Sequence, residues 1–259
     1  SLSFGLAGNL PGFLGFGISR IDDARKFTKS IFDRGPNEAA LLIRGNGFEK
    51  NFDRTQLMNS PTLTEITIKN DPAYPGREMK YKAVPFWTLF ENQMVDVTST
   101  MLFKCLDGFS APLTTARLMN REPQSAIAYI AIEPAFAKWP RLKPESPPTA
   151  GPFYLVWVNP ELSNIGTEEW PFQLASFEVK PSVEVQFPNT KPAANVKLES
   201  DIGKGYRHFI KNCFACHTLN GEGTSSIGPD LNFPFSPTEY LQPQFLKTLI
   251  RNPKSLRHW

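Results

Sequence analysis

The 259-residue chain is 41% hydrophobic and 20% charged with a mean hydropathy of −0.30, the make-up of a soluble globular protein of one or two domains. A formal net charge of only +3 argues against nucleic acid as a partner. Twenty-four prolines and 21 phenylalanines favour sheet and turns over long helices, and three cysteines leave no room for a disulfide framework.

Residues 2–18 carry no charge and include Gly5, Gly8, Gly12, Gly15 and Gly17. The run is barely long enough for a membrane span, and glycine with Pro11 weakens it as a helix. It lacks the basic flank and cleavage site of an intact signal peptide. We expect the start of a processed chain, an apolar arm through which residues 1–20 would meet a partner or a membrane. Residues 22–33, with Ala24, Phe27 and Ile31 at helical spacing, predict a short amphipathic helix that completes a segment 1–35.

From residue 36 the pattern turns to strand and turn. Residues 39–45 form a short apolar run, Asp53 caps a brief helix through Leu57, and residues 65–69 alternate as a strand. A turn into a short helix follows at 83–90, then a strand at 95–103. Asp107-Gly108 predicts a tight hairpin into 109–113. Residues 125–133 suit helix or strand, and 152–158 and 170–180 read as strands. Cys105, beside Phe103 and Leu106, reads as a small buried hydrophobe.

The succession LLIRGNGFEKNFDRTQLMNSPTLTEITIKND, YKAVPFWTLFE, LFKCLDGFSAPLT, AIAYIAIE and GPFYLVW resembles the sulfite-oxidase-type molybdopterin-binding fold over roughly residues 39–179. That family holds molybdenum through a cysteine after the strand matching residues 66–70, but here the strand ends Ile68-Lys69-Asn70-Asp71 without a thiol. No histidine precedes His208, and Arg77, Lys80 and Arg117 form no recognisable phosphate-holding motif. The resemblance therefore implies a domain 36–180 that keeps the fold without molybdopterin, serving for docking or structure.

Residues 181–200, with Pro181, Pro188 and Pro192, read as an extended Pro-rich linker. Beyond it, Ser200 or Asp201 caps a helix whose stripe of Ile202, Tyr206, Phe209 and Ile210 leads into Cys213-Phe214-Ala215-Cys216-His217. Two cysteines three apart followed by histidine are the attachment signature of a c-type haem. On a helix, positions i, i+3 and i+4 share a face, so two thiols and one imidazole can meet the same porphyrin. Cys213 and Cys216 would form thioethers, and His217 would be the proximal iron ligand. A zinc site would need four ligands and a second ligand pair, which the sequence lacks. A thioredoxin-like pair would want a preceding strand rather than a helix.

The glycine-rich stretch after the motif, with Gly221, Gly223 and Gly228, would curl around a porphyrin edge, and Gly228-Pro229-Asp230-Leu231 makes a corner. Together with CxxCH, these residues resemble a class I cytochrome c. The resemblance implies that the Pro229 carbonyl accepts a hydrogen bond from His217 Nδ1–H, fixing its tautomer. A helix is predicted over residues 238–251, ended by Asn252-Pro253. No methionine follows the motif, so three origins of a sixth ligand compete: a methionine beyond Trp259, His258, or none, leaving five-coordinate iron. The first is preferred, because 59 residues without a closing helix would cover a haem poorly.

The expected fold class is thus α+β, a mainly-β sulfite-oxidase-like domain followed by a small all-α cytochrome c domain at 201–259. The expected function is one-electron transfer through a single covalent haem c in the periplasm, where that ligation machinery works, with membrane association left open. Seven basic against four acidic side chains in residues 201–259 account for the chain's whole +3, which suits an acidic redox partner or a respiratory complex. The alternatives are a molybdenum-dependent dehydrogenase with a fused haem acceptor, and a five-coordinate haem sensor or peroxidase.

Overall fold

The computed structural model describes residues 39–45, 47–225 and 227–256, so the expectations for the arm and helix of residues 1–35 and for His258 lie outside the described residues. Among the described residues, nine strands form two sheets. A five-stranded sheet has the order β2-β1-β9-β5-β6, with β1 (Ala40–Gly45), β2 (Phe48–Asp53), β5 (Thr100–Cys105), β6 (Ser110–Thr114) and β9 (Leu174–Lys180). A four-stranded antiparallel sheet has the order β3-β4-β7-β8, with β3 (Thr64–Ile68), β4 (Met79–Pro85), β7 (Ile127–Ile132) and β8 (Phe153–Val158). The one parallel pairing joins β1 to β9, with Leu42 opposite Ser176 and Arg44 opposite Glu178.

Local chemistry explains many boundaries. Asp53 accepts from the Gln56 N–H at 2.7 Å, and the Gln56 side chain accepts from Asp53 N–H at 2.9 Å, a capping box that starts α1 (Arg54–Met58). Asp107 Oδ1 takes the Phe109 N–H at 2.9 Å and Gly108 has φ +89°, which turns β5 into β6. Residues 125–133 resolve as β7, because Ala128, Ile130, Ala131 and Ile132 are all sealed inside the sheet.

Two aromatic clusters hold this unit together. The 3₁₀ turn Phe86–Phe90 follows β4 and brings Phe86 and Phe90 onto Phe103 of β5 and Phe177 of β9, with ring centroids 5.0–6.0 Å apart. Such pairs add about 0.5–1.5 kcal/mol each beyond the area they bury. The second cluster joins Tyr81 of β4, Tyr154 of β8, Trp139 and Trp170 around a buried carboxylate. Asp71 is 1% exposed and accepts from Tyr81 Oη at 2.5 Å, Tyr154 Oη at 2.8 Å and Ala73 N–H at 2.8 Å. Burial and then the Asp71 charge push both phenols well above their ordinary value, so both stay protonated donors.

The helices are few and short, which corrects the expected α+β class with a separate all-α cytochrome domain. The described chain is mostly sheet, and the connection from β6 to β7 holds a single short helix, α2 (Thr115–Leu118). Residues 181–200 hold α3 (Val183–Gln186) and a 3₁₀ turn Pro188–Thr190, with Val183 and Thr190 buried. The haem-motif segment adds α4 (Asp201–Asn212), α5 (Pro237–Tyr240) and α6 (Pro243–Arg251). Of their residues only Gly203 is buried, so these helices build no core of their own. The single helix expected over 238–251 is two, because Pro243 has no N–H to continue the ladder and instead opens α6 at its first position. Backbone approaches closely at Gly203, where a Cβ would lie 2.5 Å from the Lys197 and Leu198 carbonyl oxygens.

Candidate functional site

Ser200 caps α4 by accepting the Gly203 N–H at 3.2 Å, and the helix runs to Asn212 immediately before the cysteine motif. The motif then continues as tight turns: Cys216 N–H and His217 N–H both donate to the Cys213 carbonyl, at 3.0 and 2.9 Å. Phe214 and Ala215 point inward, Phe214 being fully buried against Phe187 and Phe209 with centroids 5.1 and 5.7 Å away. Cys213, Cys216 and His217 are only partly covered. The two inward residues anchor the turn while the three reactive ones remain accessible.

His217 is held from two sides. Its Nδ1 lies 2.7 Å from the Pro229 carbonyl oxygen. A carbonyl only accepts, so Nδ1 carries the proton and the Nε2 lone pair is left for a metal. The Gly228 N–H donates to the Cys216 carbonyl at 2.7 Å, which lays this backbone against the imidazole. A Cβ at Gly228 would fall 2.4 Å from Cε1 and 2.6 Å from Nδ1 of His217, so only glycine fits.

The loop between motif and corner is a tight hairpin rather than a slack curl. Leu219 and Glu222 exchange both backbone hydrogen bonds, at 2.9 and 3.1 Å, around Asn220 (φ 55°) and Gly221 (φ 78°). Two consecutive left-handed residues of type Asn-Gly make a type I′ turn. Asp230 receives the Gly221 N–H at 2.7 Å, Asn220 N–H at 3.2 Å, Asn232 N–H at 2.8 Å and Phe233 N–H at 2.7 Å. Burial works to raise its pKa, but the Gly221, Asn232 and Phe233 donors and the Thr218 side chain outweigh it and hold Asp230 down at about 2, below the ordinary 3.8. A folded pKa below the unfolded one stabilises the fold above the unfolded value and is lost as pH falls through the folded one. The stability difference between wild type and Asp230→Asn, measured by urea denaturation, is therefore expected to be full above about pH 4 and to vanish as pH approaches 2.

The segment is fastened to the sheet unit. Thr224 Oγ1 donates to the Ser110 carbonyl of β6 at 3.2 Å, and Lys211 Nζ donates to the Asn164 carbonyl at 2.6 Å. Asn189 N–H donates to Glu222 at 2.8 Å, and Asn220 Nδ2 donates to the Asn189 carbonyl at 2.6 Å. Glu169 is almost buried, pairs with Arg117 and sits 3.9 Å from Lys211 Nζ. Burial raises the Cys213 and Cys216 thiol pKa values, and the Glu168 carboxylate raises them further, so both are neutral thiols at neutral pH. Sequence reasoning missed Glu168, since only the tertiary fold brings residue 168 near 213 and 216.

Apolar side chains in the segment that follows the motif lie open. Ile227, Phe233, Phe235, Tyr240 and Ile250 are each more than 60% exposed, and α6 buries none of Phe245, Leu246, Leu249 and Ile250 despite its amphipathic pattern. Among the described residues no three His, Cys, Asp or Glu side chains converge on a point where a metal ion could be caged. A porphyrin does not need such a cage, because it brings four nitrogens of its own. One imidazole with Nε2 left open and two thiols on one turn are side chains that could hold a haem. At the positions where a molybdenum ligand was sought, Asp71, three residues past β3, accepts from two tyrosines, and Cys105 is buried at the end of β5. Among the described residues no helix is long and apolar enough to cross a membrane. No protein-family model matches the chain, and a search of curated proteins finds no match.

Proposed function

We propose that this protein is a periplasmic c-type cytochrome that carries single electrons on one covalently attached haem, with the two-sheet unit as the support on which the haem segment is mounted. The observation that carries the reading is the 2.7 Å contact of His217 Nδ1 with the Pro229 carbonyl, beside two thiols on the same turn. Haem, when bound, supplies the ferrous–ferric couple. Each thiol of Cys213 and Cys216 would add across a vinyl group, its sulfur bonding to one carbon and its proton going to the other. Pro229 would orient the imidazole and, by accepting the Nδ1 proton, make Nε2 a stronger donor to iron. The exposed rings of Phe233, Phe235 and Tyr240 and the apolar side of α6 would cover the porphyrin and keep water from it. The similarity to class I cytochrome c lies in the motif and the Gly228-Pro229 corner.

Production in a host with periplasmic haem ligation is the test. Wild type is expected to gain the mass of one haem and to give a pyridine haemochrome spectrum of a haem with both vinyl groups saturated. Cys213→Ser together with Cys216→Ser is expected to abolish covalent haem altogether. Folded wild-type protein that leaves such a host without covalent haem would sink the reading.

A further inference from the structure

We infer that Asp230 is a positioning residue for His217: its carboxylate sets the place of the Pro229 carbonyl, and through it the donor strength of the imidazole. The inference rests on the haem reading above, but its geometry stands on the chain alone. Pro229 precedes Asp230 directly, so whatever fixes the Asp230 side chain also fixes the peptide that His217 touches.

Four backbone N–H groups converge on this one carboxylate. Two come from Asn232 and Phe233 and make a local turn that an aspartate would form in many loops. The other two come from Asn220 and Gly221, the left-handed pair at the tip of the hairpin that leaves His217 after only Thr218 and Leu219. This second pair ties the outgoing strand of the site to its returning corner. Leu231 N–H to the Thr218 carbonyl at 3.0 Å, and Asn232 Nδ2 to Asn220 Oδ1 at 2.6 Å, close the same gap. Asn220 Nδ2 extends the tie to Asn189 of the 3₁₀ turn beside β9's exit segment, so the corner is braced against residues outside the haem segment. Without the tie, the peptide that carries the Pro229 carbonyl would be held by the Gly228 N–H to Cys216 bond on one side and the Leu231 N–H to Thr218 bond on the other, with no link to the hairpin tip through Asp230.

Asp230→Asn is the informative variant, because its amide oxygen can still accept the local Asn232 and Phe233 donors. Its amide nitrogen cannot accept from Gly221. In the haem-free chain, at a pH where the ring is neutral, the nitrogen chemical shifts of His217 report which nitrogen is protonated. We expect the Nδ1–H to Nε2–H ratio to fall about fivefold in the variant, the factor implied by weakening one ordinary hydrogen bond. In the haem-loaded protein we expect a lower ferrous iron–imidazole stretching frequency and a higher midpoint potential, because a weaker donor stabilises ferric iron less. If Asp230→Asn folds and lowers stability but leaves tautomer ratio, stretching frequency and potential unchanged, the carboxylate merely braces the loop and the inference is overturned. If wild type acquires no covalent haem, the proposed function fails, while the haem-free tautomer ratio still decides the role of Asp230.

Discussion

Gly228→Ala is expected to cut covalent haem content about tenfold while leaving the sheets folded. The added methyl would sit 2.4 Å from Cε1, 2.6 Å from Nδ1 and 2.9 Å from Nε2 of His217, well inside van der Waals contact. Neither side of the clash yields cheaply. The ring is held by Pro229 at 2.7 Å, and the Gly228 N–H is held by the Cys216 carbonyl at 2.7 Å. Overpacking of this kind costs about 1–3 kcal/mol, or one to two decades in the population of the correct imidazole pose. Haemochrome absorbance per mole of protein, beside far-ultraviolet circular dichroism, separates loss of haem from loss of fold. A folded Gly228→Ala protein with wild-type haem content would mean that His217 takes another orientation when it meets iron.

Asp71→Ala is expected to destabilise the two-sheet unit by about 3–5 kcal/mol, because two buried tyrosine hydroxyls lose their acceptor together and each unsatisfied group costs about 1–3 kcal/mol. Tyr81 and Tyr154 are both fully buried, on strands that flank β7, so no water replaces the carboxylate without rearrangement. Tyr81→Phe is the control. It removes one donor but leaves Asp71 with Tyr154 and the Ala73 N–H, and about 1 kcal/mol is expected. Urea denaturation of both variants and of the double variant measures the coupling. An Asp71→Ala protein within 1 kcal/mol of wild type would show that the sheet tolerates the unpaired hydroxyls, which those magnitudes do not allow. This cluster is independent of haem, so its loss is expected to lower stability without altering the spectrum of any protein that still folds.

Features settled within a few residues of chain were legible in the sequence. The Asp53 cap and the Asp107-Gly108 hairpin depend on side-chain-to-backbone chemistry at short range, whereas the His217–Pro229 contact, twelve residues apart, was implied only by the resemblance to class I cytochrome c. The buried state of Cys105 followed from its apolar neighbours. Strand β2 was missed because its sequence FEKNFD alternates around charge at a sheet edge, where neither face is buried. Strand β4 was missed, its last residues being read as a turn into a helix, since Lys80 and Lys82 interrupt the apolar run even though Met79, Tyr81 and Ala83 are buried.

The cysteine–histidine motif and the glycine–proline corner, both local, were determined by sequence alone, as was the cap that starts α4. Tertiary structure decided the rest. The helical period around the motif suggested an independent all-α domain, yet helices with almost nothing buried cannot pack on each other. Their anchor, Phe214, is covered in part by Phe187 from the segment after β9, and Thr224 bonds to β6. The parallel pairing of β1 with β9 joins residues more than a hundred apart, and the approach of Glu168 to the thiols joins residues about forty-five apart. Such encounters are chosen by which faces must leave water, a property of the whole chain rather than of any window within it.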